Sequence, residues 1–205
     1  MSLRWTILAP LYDRMSRKSE EAGMGAMREN LLAAANGRVL EIGGGTGVNL
    51  RYYDAVDSLV VTEPEPAMLR RLQDRAREQG TQADVVQAPA EELPFEDASF
   101  DTVVSTLVLC GVDQERSLGE VRRVLRPGGL LLFLEHVRSD DPGLARLQDR
   151  MNRLNRFLVG CECNRETVEA IEAAGFTISR VERTTMPEAP RFVRPAVVGT
   201  AVAAG

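Results

Sequence analysis

Nine residues constrain this chain more than any others: Val39-Leu40-Glu41-Ile42-Gly43-Gly44-Gly45-Thr46-Gly47, an apolar run that ends in an acid and breaks into glycines. The run reads as a buried strand. The glycines read as a turn whose backbone passes close to a bound molecule, because glycine alone combines positive φ with an unobstructed approach. A small-molecule ligand is the first expectation. The spacing is G-x-G-x-G at Gly43, Gly45 and Gly47, whereas the dinucleotide fingerprint wants glycine or alanine where Val48 stands. That disfavours a nicotinamide or flavin ligand. Glycine-rich turns also close ordinary loops, so the neighbouring motifs decide the reading.

Strand-like runs recur at Arg38 to Ile42, Ser58 to Thr62, Ala83 to Gln87, Asp101 to Leu109 and Leu130 to Glu135, with helical stretches at Pro66 to Gln79 and Gln114 to Leu125 between them. Strands alternating with helices argue for a largely parallel sheet covered on both faces. Leu3 to Ala35 has a helical pattern, with breaks expected near Pro10 and at Gly23 to Gly25. Pro142 to Leu158 reads as an amphipathic helix, with Leu144, Leu147, Met151, Leu154 and Leu158 at helical spacing and arginines mostly elsewhere. A helix from Arg165 to Ala174 ends at Gly175, and Phe176 to Glu182 and Val197 to Ala203 then form a hairpin-like antiparallel edge. At 205 residues the chain is expected to be one α/β domain. Its parts are a helical cap (1–35), a ligand-binding core (38–137), an insertion (140–164) and a C-terminal helix and hairpin (165–205).

The balance of 25 basic against 30 acidic residues gives a formal charge of −5, which argues against a nucleic-acid partner held by general electrostatics. Three cysteines, Cys110, Cys161 and Cys163, are too few for a disulfide framework, so a reducing cytoplasm is the expected compartment. No run approaches the roughly 20 apolar residues of a membrane span, which leaves peripheral lipid contact open. Oligomeric state is not legible.

Val60-Val61-Thr62-Glu63-Pro64 places an acid after the second strand, twenty residues beyond Gly43. There it can accept the ribose hydroxyls of an adenosine-containing ligand. The alternative is that it complements the dipole of the Pro66 helix, but Glu65 could serve that role, so the ribose reading is favoured.

With these two features, Ala90-Glu91-Glu92-Leu93-Pro94-Phe95 followed by Ser99-Phe100-Asp101, and Leu125-Arg126-Pro127-Gly128-Gly129, the chain resembles the class I S-adenosylmethionine-dependent methyltransferases. The ordered set spans about residues 38 to 135. The resemblance implies a Rossmann-like fold: a seven-stranded, mostly parallel sheet with an antiparallel C-terminal hairpin. It also implies S-adenosylmethionine as cofactor, S-adenosylhomocysteine as product and no metal. Glu41 and the Gly43-Gly44-Gly45-Thr46-Gly47 turn would hold the methionine portion, Glu63 and Pro64 would lie at the ribose, and Met68 would lie near the adenine. Many relatives have an aspartate where Pro89 stands, so adenine would be read by the backbone around Ala90 and Glu91. Ser105, Thr106 and Leu107 would sit beside the methionine moiety, and Asp101, at the other end of that strand, would be structural.

Tyr12-Asp13-Arg14 looks like the start of the quinone- and lipid-methylating members. Ser105 to Cys110, Leu134-Glu135-His136-Val137, Gly160 to Thr167 and Pro187-Glu188-Ala189-Pro190 look like the branch whose animal members methylate thiols and associate with internal membranes. Tyr12, Cys110 and His136 are then the candidate acceptor-side residues. His136, the single histidine, is the candidate base because its unperturbed pKa is about 6.5; a structural histidine at a strand end is an equal alternative. Cys110 also reads as a small buried hydrophobe. Cys161-Glu162-Cys163 has no second Cys/His pair to complete a tetrahedral metal site. The expected activity is methyl transfer to a small, apolar acceptor through S, O, N or C. A non-catalytic S-adenosylmethionine-binding sensor or assembly subunit is the alternative.

Overall fold

A computed structural model describes residues 17–54 and 56–204. Seven strands form one sheet in the order β3-β2-β1-β4-β5-β7-β6. They are β1 (Arg38–Ile42), β2 (Ser58–Thr62), β3 (Asp84–Val86), β4 (Phe100–Thr106), β5 (Leu125–His136), β6 (Phe176–Thr185) and β7 (Pro195–Ala203). β1 to β5 pair in parallel, and β7 runs antiparallel to both of its neighbours. The α/β class, the mostly parallel sheet and the C-terminal hairpin are those expected from the sequence.

The order of β-strands reverses between β1 and β4, which opens a crevice at their carboxyl ends. Helices α1 (Gly25–Leu32), α2 (Pro66–Gln79), α3 (Gln114–Val124), α4 (Pro142–Val159) and α5 (Thr167–Ala173) complete the regular structure, with a π-helical turn at Glu20–Met24 and a 3₁₀ turn at Val48–Tyr52. The N-terminal helical segment breaks at Gly23, whose φ is 140°, as the glycines there imply. The expected break near Pro10 lies outside the described residues.

Side chains of a strand alternate between its two faces, and here each face has its own core. Val39, Val61, Val104, Leu132 and Leu134 pack with Leu31 and Leu32 of α1 and Leu72 of α2. Leu40, Ile42, Val103, Leu131 and Phe133 pack with Leu118 and Val121 of α3 and Ile171 of α5. This parity fixes where each polar residue at a strand end points.

α4 departs from the expected stripe. It starts as expected, with Pro142 in its first turn and Asp141 accepting from Leu144 N at 2.7 Å, and it ends at Gly160, whose φ is 79°. Its buried positions are nonetheless Ala145 and Gln148, while Leu154, Phe157 and Leu158 are exposed. Gln148 is the anchor: its amide donates to the carbonyls of Val137 (3.0 Å) and Cys163 (2.7 Å) and accepts from Ser139 N (2.8 Å).

Gly199 of β7 stands opposite Phe133 of β5, and a Cβ there would fall 2.5 Å from the Phe133 ring and 2.5 Å from the Arg180 carbonyl. Gly199→Ala is expected to cost about 1–3 kcal/mol of stability through overpacking. Urea unfolding of the two proteins measures it.

Candidate functional site

A cleft of about 670 Å³ runs along the carboxyl ends of the strands. Its described walls come from the residues after β3 (Ala90, Glu91), β2 (Glu63, Pro64), β1 (Gly43 to Thr46), β4 (Thr106 to Val108) and β5 (His136). Strand order therefore arranges the candidates along one line, with Met68 of α2 near the β2 end. Tyr12 lies outside the described residues.

The glycine turn is shaped from both sides. Gly43, Gly45 and Gly47 have φ of 59°, 58° and 80°, in the left-handed region that favours glycine. A Cβ on Gly44 would lie 2.3 Å from Val61, and one on Gly43 would lie 2.6 Å from Val108. Gly45 faces open space, since no atom lies within 4 Å of its would-be Cβ. Gly47 is not on the cleft wall. Its N–H donates to the Gly44 carbonyl at 2.8 Å, and it packs on Leu50 and Leu72, so its part is to close the turn.

Glu41, 2% exposed, accepts from Asn49 Nδ2 (2.9 Å) at one oxygen and from Tyr53 Oη (2.9 Å) at the other. Arg28 of α1 donates to Asn49 Oδ1 (2.9 Å), to Thr106 Oγ1 (3.0 Å) and, through Nε, to Glu20 (3.1 Å). Burial raises the Glu41 pKa above its ordinary value, opposed by the Tyr53 and Asn49 hydrogen bonds and by the Arg28 charge. Arg28, Asn49 and Tyr53 were not anticipated from sequence. Each is a polar residue in an unremarkable local pattern, and only the fold brings them to Glu41.

Glu63 accepts from the N–H groups of Gly45 (2.8 Å) and Glu65 (2.9 Å), so one carboxylate holds the turn after β1 and the loop after β2. Burial raises its pKa as well. The Glu91 carboxylate accepts from Asp113 N (3.1 Å) at the start of α3, and both Ala90 and Glu91 line the cleft.

Parity corrects one expectation. Ser105 does not line the cleft; its hydroxyl is fully buried on the α3 face and donates to Glu135 Oε1 at 2.7 Å. Its neighbour Thr106 points the other way, toward Arg28. Glu135 shares the Ser105 face. It also accepts from Val108 N at 3.1 Å, and so organises the loop that leaves β4 through Leu107, whose φ is +61°. Desolvation raises the Glu135 pKa to about 6.

His136 reaches the cleft but is 8% exposed. Desolvation lowers its pKa to about 4, against the partial pull of the Val193 and Pro195 carbonyls, and Nδ1 has no hydrogen-bond partner among the described residues. The ring is neutral at pH 7 and far less basic than free imidazole. Cys110 and Cys161 lie on the same half of the cleft, and no group of metal ligands is found among the described residues.

This fold and this cleft define a methyltransferase. Residues 40–133 match the methyltransferase domain family. The chain is 37% identical over 179 residues to the thiol S-methyltransferase TMT1B of Homo sapiens, covering 83% of this chain and 73% of that protein. It is 39% identical over 119 residues to the ubiquinone/menaquinone biosynthesis C-methyltransferase UbiE of Ectopseudomonas mendocina, covering 55% and 46% of the two. A Thermotoga maritima structure described as an S-adenosylmethionine-dependent methyltransferase and possible histamine N-methyltransferase superposes with a TM-score of 0.74 at 22% identity, covering 99% of this chain and 100% of that one. The chain belongs to the class I S-adenosylmethionine-dependent methyltransferases, in the branch that acts on small molecules. S-adenosylmethionine is the methyl donor of that family. No described helix is long and apolar enough to cross a membrane.

Glu135 supplies a pH test of the site's architecture. A carboxyl whose folded pKa is raised from 4.5 to about 6 contributes stability that is complete below pH 4.5 and lost as pH rises through 6, about 2 kcal/mol in all. Glu135→Gln cannot ionise. Urea unfolding at pH 4.5 and pH 7 is expected to show the variant's stability relative to wild type rising by about that amount between the two.

Proposed function

We propose that this protein transfers the methyl group of S-adenosylmethionine to a small thiol. The observation that carries the reading is the character of the β4–β5 half of the cleft. Leu107, Val108, Val112 and Val193 make it apolar, and its one imidazole is too weakly basic to serve as a proton acceptor near neutrality. An acceptor bound there brings its own ionisation. A thiol does so, because with a pKa near 8.5 a few per cent is already the nucleophilic thiolate at pH 7. A phenol or an ammonium group would need a stronger base than His136. The similarity to thiol S-methyltransferases across most of the chain supports the same choice.

The glycine turn fits the donor, since Gly45 faces open cleft and Glu63 keeps lone pairs for hydroxyl donors after binding the two N–H groups. Bound S-adenosylmethionine supplies a methyl group on a sulfonium, open to in-line attack. Glu63 holds its ribose, and Met68 and the backbone at Ala90 and Glu91 flank the adenine. Arg28, held in place by Asn49, presents positive charge to the methionine carboxylate, and the Thr106 hydroxyl, which accepts from both, is left to donate to it. Leu107, Val108 and His136 exclude water from the line of attack, and His136 serves as a wall with one polar edge. Aligning the two reactants is itself worth about 7–11 kcal/mol in favourable cases, so no catalytic triad is required.

Two measurements check this. Glu63→Gln keeps the shape but loses the charge-assisted hydrogen bonds, each worth about 1.5–3 kcal/mol, and calorimetry is expected to show S-adenosylhomocysteine binding weakened ten-fold or more. In a series of thiols of different acidity, kcat/KM is expected to rise about ten-fold per pH unit up to each thiol's own pKa, with the break moving from thiol to thiol. A break at one fixed pH for every thiol would assign the proton transfer to the protein. Transfer to phenols, quinols or amines and to no thiol would reject the acceptor.

A further inference from the structure

Cys110 and Cys161, 51 residues apart in sequence, meet in one wall of the cleft, with Cys163 beside them. Cys161 Sγ lies 3.2 Å from Cys110 Sγ and 3.9 Å from Cys163 Sγ. Cys110 sits on the loop that leaves β4, and Cys161 follows the C-cap of α4. The two loops already touch through their backbones, since Glu162 N donates to the Cys110 carbonyl at 2.8 Å and a Cβ on Gly111 would lie 3.1 Å from the Gly160 carbonyl. Cys163 is held apart: its sulfur accepts from Asn155 Nδ2 at 3.0 Å. Nothing in methyl transfer uses the Cys110–Cys161 contact.

We propose that Cys110 and Cys161 are a reversible disulfide site in the cleft wall, oxidised by low-molecular-weight disulfides. A disulfide needs its sulfurs about 2.05 Å apart, and from the present contact that is a shift of about 1 Å, within reach of side-chain rotation and small loop movement. Cys161 is the entry point, because it is partly exposed while Cys110 is buried; its contact with Cys110 and its burial push its thiol well above the ordinary range, so the exchange is slow near neutrality and quickens as pH rises. As thiolate it attacks the S–S bond of R–S–S–R, giving the mixed disulfide Cys161–S–S–R and one R–S⁻. Cys110 then attacks Cys161 Sγ, closing the protein disulfide and releasing the second R–S⁻. The two cysteines lose two electrons, the oxidant gains them, and the two cysteine protons end on two molecules of R–SH. Bridging ties the loop after β4 to the loop after α4, so neither can part to admit an acceptor. The donor half, across the glycine turn, is untouched. This consequence for turnover rests on the proposed acceptor site; the bridge itself does not.

The test treats the full chain with glutathione disulfide and maps its cysteine peptides without reduction. The expected product is a Cys110–Cys161 cross-link, a chain lighter by two hydrogens, restored by dithiothreitol. Cys163→Ser is expected to form the same bridge, whereas Cys110→Ser and Cys161→Ser stop at the glutathione adduct or remain unmodified. A Cys161–Cys163 bridge, or three free thiols after full treatment, would overturn the site. In the bridged protein, S-adenosylhomocysteine affinity is expected to stay within about two-fold of the reduced form, while transfer to thiols, read as the initial rate before the acceptor thiol reduces the bridge, falls ten-fold or more. Unchanged transfer would remove the gate. Mapping does not depend on turnover, so a bridge in a protein that methylates no thiol defeats the proposed acceptor and leaves the disulfide site standing.

Discussion

The carboxylate of Glu41 is the group on which the site depends. It is buried at the end of β1, where an isolated charge would cost several kcal/mol. The fold answers that cost from two separate places: the segment after the glycine turn supplies the donors Asn49 and Tyr53, and α1 supplies the charge of Arg28. Thr106, at the end of β4, joins the same network through Arg28 and Asn49. One carboxylate thereby fixes the helical cap, the turn and the β4 end relative to one another. These are the surfaces that bound the floor of the cleft, so its shape is set by the requirement that a buried charge be satisfied.

A second consequence of simple geometry is the separation of the two halves. At the ends of β4 and β5, alternation sends Thr106 and His136 to the α1 side and Ser105 and Glu135 to the α3 side. Residues next to each other in sequence thus take unrelated tasks. Glu135 is spent on Ser105 and on the N–H groups of the loop that begins at Leu107. His136 is left facing an apolar chamber that suppresses its basicity. The proposed thiol acceptor suits this chamber because it arrives with its own acidity.

Much of this was legible beforehand. β1, β2 and α2 have the residue bounds read from the sequence, because apolar runs closed by acids, glycines or proline are local signals. The glycine turn and Glu63 converge on one cleft for the same reason: the parallel order of the strands follows from the alternation of strand and helix. What failed to show was long-range. Ser105 was misplaced because a one-residue register decides which side of a sheet a side chain faces. Arg28, Asn49 and Tyr53 carry no local mark of partnership with Glu41. The apolar residues of α4 follow helical spacing, yet the helix is anchored by the polar Gln148, so Leu154 and Leu158 stay exposed. The contact between Cys110 and Cys161 joins residues 51 apart in sequence, which no spacing rule anticipates.

The division of the cleft is the central claim, and a crystal structure of the protein with S-adenosylhomocysteine tests it most directly. The account predicts the ribose hydroxyls on Glu63, the amino-acid end against the Glu41–Asn49–Arg28 network, and the sulfur directed toward Leu107 and His136. Adenosine seated instead among His136, Cys161 and Val193 would contradict it.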